Sequence, residues 1–141
     1  MDNEFSNKWT DNDFENMVWH DSTIYSITFS DKYELLLDID YILKWVNLEK
    51  NDTFFQFWIA PATLIFKNVY NLKIESNIVD LIITNINRDN PQPPKNAKHI
   101  GMALEYDWLI ETTQGEITFK SIGFEQHLRK SPILSNEQRI R

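Results

Sequence analysis

A chain of 141 residues fits one domain better than two, and at that length it buries roughly two-thirds of its unfolded surface. Hydrophobic residues make up 42% and aromatics 13%, so a core needs no staple; with no cysteine, disulfides, thiolate metal sites and cysteine nucleophiles are excluded. The net charge of −7 repels phosphate backbones and anionic membrane surfaces and makes a basic protein the favoured partner.

Residues 1–16 are acidic and polar and lack the basic and apolar regions of a secretory signal. No apolar run approaches the ~18 residues of a membrane span. The expectation is a cytoplasmic bacterial protein that enters no membrane and binds no nucleic acid. Thr10 or Asp11 is placed to cap a short helix through Phe14 and Met17. From Asp21 to Ser30, Thr23, Tyr25, Ile27 and Phe29 share one face and Ser22, Ser26, Thr28 and Ser30 the other, with Ile24 as the exception, which predicts a strand. Ser30-Asp31-Lys32 is a tight turn into the next segment.

That segment, Tyr33 to Trp45, carries the strongest signal. Its odd positions are apolar without a break, while its even positions include Glu34, Asp38, Asp40 and Lys44. A period of two means one buried and one wet face. Residues 53–70 are aromatic and β-branched, and Pro61 in their midst predicts a bend, bulge or edge, where two strand segments would let one chain segment serve two sheets. Leu72 to Ser76 reads as a short strand. Ile78 to Asn87 fits helix and strand patterns alike and is assigned to strand. Arg88 to Lys98, with three of the five prolines, reads as a surface loop. His99 to Thr113 and Glu116 to Ile122 are strands joined at Gln114-Gly115. The predicted fold is mainly β, an antiparallel two-sheet sandwich or flattened barrel with little helix, α+β being the alternative. One domain spans 1–141, with 1–16 and 132–141 as loose ends.

Several clusters could carry chemistry. Asp38 and Asp40 project from one side of a strand with their side-chain carbons about 7 Å apart. Glu34 lies on the same side. Such a row can meet a basic partner or hold a divalent cation, and it can equally be a solvated sheet face. His20-Asp21 could add metal ligands, giving His20, Asp21, Asp38 and Asp40, or could satisfy backbone groups at a strand start. Glu105, Asp107 and Glu111 form a second acidic stripe, with Glu116 and Lys120 placed to pair across to it. Phosphate-cradling loops, nucleophile elbows and zinc or calcium motifs are missing from the sequence.

Four blocks, WHD (19–21), LLLDIDYILKW (35–45), FWIAPATLIFKNV (57–69) and GEITFKSIGFEQHLRKSPILSNEQ (115–138), together resemble a family of small uncharacterised bacterial proteins. Their profile is similar to that of the immunity partners of polymorphic toxins. The resemblance transfers no catalytic or binding residue. The functional expectation is a non-enzymatic domain without cofactor that binds a basic protein, such as a toxin, through Glu34, Asp38, Asp40 and Asp107. The alternative is a β-barrel binding a small ligand or a divalent metal, with an enzymatic role open. The sequence leaves the oligomeric state undefined.

Overall fold

The computed structural model describes residues 5–47, 55–94 and 104–141. Ten strands follow one another: β1 (Lys8–Thr10), β2 (Thr23–Phe29), β3 (Leu35–Asn47), β4 (Phe55–Lys67), β5 (Tyr70–Ser76), β6 (Leu81–Gln92), β7 (Glu105–Thr112), β8 (Gly115–Ser121), β9 (Gly123–Leu128) and β10 (Ile133–Ser135). The one helical element among the described residues is a 3₁₀ turn at Asp11–Asn16, where the Asp13 carboxylate accepts the Thr10 N–H at 2.8 Å. No helix among the described residues is long and apolar enough to cross a membrane.

All the strand pairings are antiparallel, in the order β1-β9-β4-β3-β2-β6-β7-β8-β5, with β10 on the flank of β4. Two sheets result, and they meet at two corners. At one, β6 pairs with β2 through Leu81 and Ile82 and with β7 from Ile83 onward. At the other, the β4/β9 ribbon becomes the β5/β8 ribbon across Asn68-Val69 and Ile122. Asn68 and Asn71 adopt φ of 51° and 55° there, and Gly123 a φ of 147°. A side chain on Gly123 would be strained and would press on the Asp11 carboxylate. Between the sheets lies a continuous core of Leu35, Leu37 and Ile39 from β3, Leu64 and Phe66 from β4, and Ile83, Trp108, Ile110, Ile117 and Phe119 opposite. The Phe66 ring sits 4.7 Å from Phe119 and 5.0 Å from Trp108. The Trp108 Nε1–H donates to the Ser121 carbonyl at 3.0 Å, so the largest core ring leaves no orphan donor.

The predicted mainly-β sandwich stands. The Ile78–Asn87 ambiguity resolves as strand from Leu81 onward, with residues 78–80 an exposed bend before it, and the Ser30 turn joins β2 to β3. Three local expectations differ. β4 runs straight through Pro61, and the joint between sheets lies eight residues on. Pro61 is tolerated because its polar edge faces the gap between β9, which ends opposite Ala62, and β10, which starts opposite Ile59; only its carbonyl is used, accepting Arg129 N–H at 2.8 Å. Arg88 is a strand residue, not a loop residue. Its guanidinium lies 4.4 Å from the ring centres of Phe14 and Tyr106 and bonds Asp11 at 2.7 Å, which lets a charged residue occupy an aromatic site. Finally, the described parts of both ends are built in, since β1 pairs with β9 and β10 with β4. Of the expected His99–Thr113 strand, residues 99–103 lie outside the described residues.

Candidate functional site: two carboxylate faces

On β3 the inward residues 35, 37, 39 and 41 enter the core, so 38, 40 and 42 face outward from the first sheet. Outward is not the same as wet. Residues 136–141 form a strap across this face, without helix or strand. Asp40 is fully buried beneath it. The Arg141 guanidinium reaches Asp40 Oδ1 through Nε at 3.2 Å and Nη2 at 3.0 Å, Asp38 through Nη1 and Nη2 at 2.9 Å each, and the Ile39 carbonyl at 3.1 Å. It stacks 4.0 Å from the centre of the Tyr25 ring. The Ile140 N–H donates to Asp40 Oδ2 at 2.9 Å, and the Tyr25 hydroxyl donates to the same oxygen at 2.5 Å. Arg129 donates to Asp38 Oδ1 and to Thr63 Oγ1. Beside the charges, Ile140 packs on Ile42, Phe57 and Ile59, a small cluster separate from the main core.

Electrostatics follow from this geometry. Burial pushes the Asp38 carboxyl up, but hydrogen bonds from Arg141 and Arg129 outweigh it and hold it below the usual carboxylate range. Burial, then the Asp40 hydrogen bond, push the Tyr25 phenol up. A buried carboxylate is tolerable only when paired and fully hydrogen-bonded, and Asp40 accepts from Tyr25, Ile140 and Arg141.

The second sheet presents a different outer face. The register lines up Glu75, Glu116 and Glu111 across β5, β8 and β7, with Asn85 of β6 next in line. A middle row holds Lys73, Thr118, Leu109 and Asn87. A third places Asp89 opposite Asp107 and Asp107 opposite Lys120. Residues 75, 87, 89 and 116 are exposed. A groove of about 830 Å³ crosses this face, lined by Lys73, Asn87, Asp89, Asp107 and Thr118 among others. Lys120 Nζ bonds Asp107 Oδ1 at 2.6 Å, and that bond, with another from Asn90, holds the Asp107 carboxyl below its usual range. Glu105 is buried at the end of its stripe; burial, then its carboxylate, push the Tyr70 phenol well above the usual range.

The residues expected to form one acidic face are therefore dispersed. Glu34 closes the β2–β3 turn, its N–H bonded to Ser30 Oγ and its carbonyl accepting Ser30 N–H. Asp38 and Asp40 lie under the strap, and Asp107 belongs to the other sheet. His20 Nδ1 sits 3.1 Å from the Thr84 carbonyl, and its Nε2 sits 3.4 Å from Asp21, which accepts from Gln138 at 2.8 Å. Among the described residues no three His, Asp or Glu side chains are grouped to hold a metal ion, so His20, Asp21, Asp38 and Asp40 are not brought together as a centre. Sequence reasoning missed Arg129 and Arg141 as partners of the β3 acids, because contacts over about a hundred positions leave no local pattern, and missed Tyr25, 15 positions from Asp40, because the β2–β3 register that pairs them is irregular between Ile24 and Ser26. It also missed Glu75 and Asp89. The period-two polarity of Glu75 was visible in its strand but needed strand order to align it, whereas Asp89 fell in the segment read as a loop and lies in β6. No protein-family model, curated protein or solved structure matches the chain.

Proposed function

We propose that this chain is a non-enzymatic binding domain that captures a basic protein on the outer face of its second sheet. Five carboxylates, Glu75, Asp89, Asp107, Glu111 and Glu116, share that face with Lys73 and Lys120. The observation that carries the reading is the placement of like charges directly opposite one another: Glu75 on Glu116, Glu116 on Glu111, and Asp89 on Asp107. Each such pair costs a sheet on the order of 0.2–1 kcal/mol. Solubility needs no such arrangement, since charge dispersed over the surface serves it equally well. Alignment of acids along a groove instead raises the local negative potential and steers a cationic partner to one place. An immunity-type protein held in the bacterial cytoplasm against a basic toxin is the concrete form of this reading, and Asp107 is the residue it shares with the sequence-based expectation.

Glu75→Gln with Glu111→Gln and Glu116→Gln tests it in two readouts of opposite sign. Relief of repulsion raises the melting temperature by a few degrees, about 1 kcal/mol in all. Affinity for a nine-residue oligolysine peptide, measured by calorimetry at low salt, falls about tenfold. A control neutralising Glu15, Asp31 and Glu137, exposed elsewhere, changes peptide affinity far less. Equal losses in the two variants, or a fall in melting temperature, would reject the proposal.

A further inference from the structure

The strap site on the first sheet has the features of a recognition pocket, and Arg141 shows what it takes. We infer that the cleft formed by Tyr25, Asp38, Asp40 and the Ile42–Phe57–Ile59 patch is a receptor for an extended segment of another protein bearing an apolar residue followed by arginine, and that residues 136–141 occupy it in cis as a displaceable placeholder. It is separate from the second-sheet face and does not depend on that reading.

Three observations carry the inference. The first is what remains when the strap lifts. Arg129, bonded to Asp38 and Thr63, and the Tyr25 hydroxyl, bonded to Asp40, belong to the body of the fold and stay. Asp38 then keeps a cation while Asp40, fully buried beneath the strap, has none. Without Arg141 and the Ile140 N–H, Asp40 keeps only the neutral Tyr25 donor, so it favours a cation that offers the same geometry. The second is the shape of that demand. Arg141 uses its planar fork on Asp40, Asp38 and the Ile39 carbonyl at once while stacking on Tyr25. A lysine ammonium can reproduce neither the fork nor the stack. The residue before it is read too, since the Ile140 N–H reaches Asp40 while its side chain covers Ile42, Phe57 and Ile59. The third is the way the strap is held. It has no ladder of its own, and none of its residues joins the main core. Its other ties are made by side chains, among them Asn136 to Gln56 and Gln138 to Asp21 at 2.8 Å each, Arg139 to Asp80 at 3.7 Å, and the Arg139 guanidinium 5.5 Å from the centre of the Tyr25 ring. A competing segment with the same two-residue chemistry can replace the contacts of Ile140 and Arg141.

The test adds a fluorescein-labelled hexapeptide with the sequence of residues 136–141 to the full chain carrying Ile140→Ala and Arg141→Ala, read by anisotropy. The expected result is binding at least about tenfold tighter than to the wild type, whose own strap competes. The peptide ending in Ile-Lys binds the variant about tenfold more weakly, and adding Asp38→Asn and Asp40→Asn to the variant abolishes capture of the parent peptide. Near-ultraviolet circular dichroism checks that the variant keeps its packed tryptophans. If it does not, Arg141→Lys in the full chain replaces it, with a smaller gain of the same sign expected. A folded variant that binds no better than the wild type, equal affinity for the lysine peptide, or straps exchanged between two copies into a stable dimer would each overturn the inference.

Discussion

Asp38 and Asp40 stand two residues apart on one strand, yet they do different work. Asp38 is partly open and holds two guanidinium groups, while Asp40 is sealed and accepts from a phenol, a backbone amide and a guanidinium. A simpler pair allows a cleaner test of residue-scale electrostatics. Lys67 Nζ bonds Glu125 Oε1 at 2.8 Å, and His127 Nε2 lies 3.2 Å from Oε2. The Lys67 bond first, and then the His127 bond, bring the Glu125 carboxyl down from 4.5 to about 2. Because the folded value lies below the unfolded one, the stability contributed is complete above about pH 4.5 and is lost as pH falls towards 2. Urea midpoints at about pH 7, 4.5 and 2.5 should therefore drop more in the wild type than in Glu125→Gln over the acid interval. Parallel curves would show that the pair contributes nothing.

At the scale of elements, the architecture was legible where hydrophobic period and turn chemistry agreed. The Leu35–Tyr41 half of β3 faces the core as its alternation predicts. Beyond Ile42 a bulge shifts the register, so Trp45 lies opposite Phe57 and is 43% exposed, although its odd number predicts burial. Periodicity cannot foresee a bulge, because the bulge is fixed by the partner strand. Of the bend, bulge or edge expected at Pro61, the joint between sheets is absent and a local edge is found, for a related reason. The meaning of the proline depended on a gap in the neighbouring strand, which only the return of residues 123–135 along β4 creates. The β7–β8 hairpin was legible one residue out of place. Its tip is Thr113-Gln114, and Gly115 opens β8 with φ of 148° against the Glu75 backbone. A side chain at Gly115 would overlap the Glu75 carbonyl. Gly115→Ala should thus destabilise the fold by about 2 kcal/mol or more, since strain and overlap add. A denaturant midpoint unchanged from wild type would mean that the β5 end yields freely.

For the whole molecule, the question is how −7 is distributed. On the first sheet the strap and Arg129 neutralise the outward acids; on the second, carboxylates are aligned in register and left largely to solvent. One sequence thus carries two acidic stripes with opposite fates. Nothing in either stripe announced which would be covered, because the covering residues come from positions 129–141. What the sequence did disclose was the sign of the charge and the period-two acids of β3 and β7 that bear part of it. The proposed capture of a basic protein depends on the open face of the second sheet. A ¹⁵N-resolved nuclear magnetic resonance titration with oligolysine at low salt tests it most directly. Amide shifts should concentrate on residues 73–75, 85–89, 107–111 and 116–120 and saturate together. Shifts scattered evenly over all exposed acids, or centred on Glu34 and β3, would contradict it.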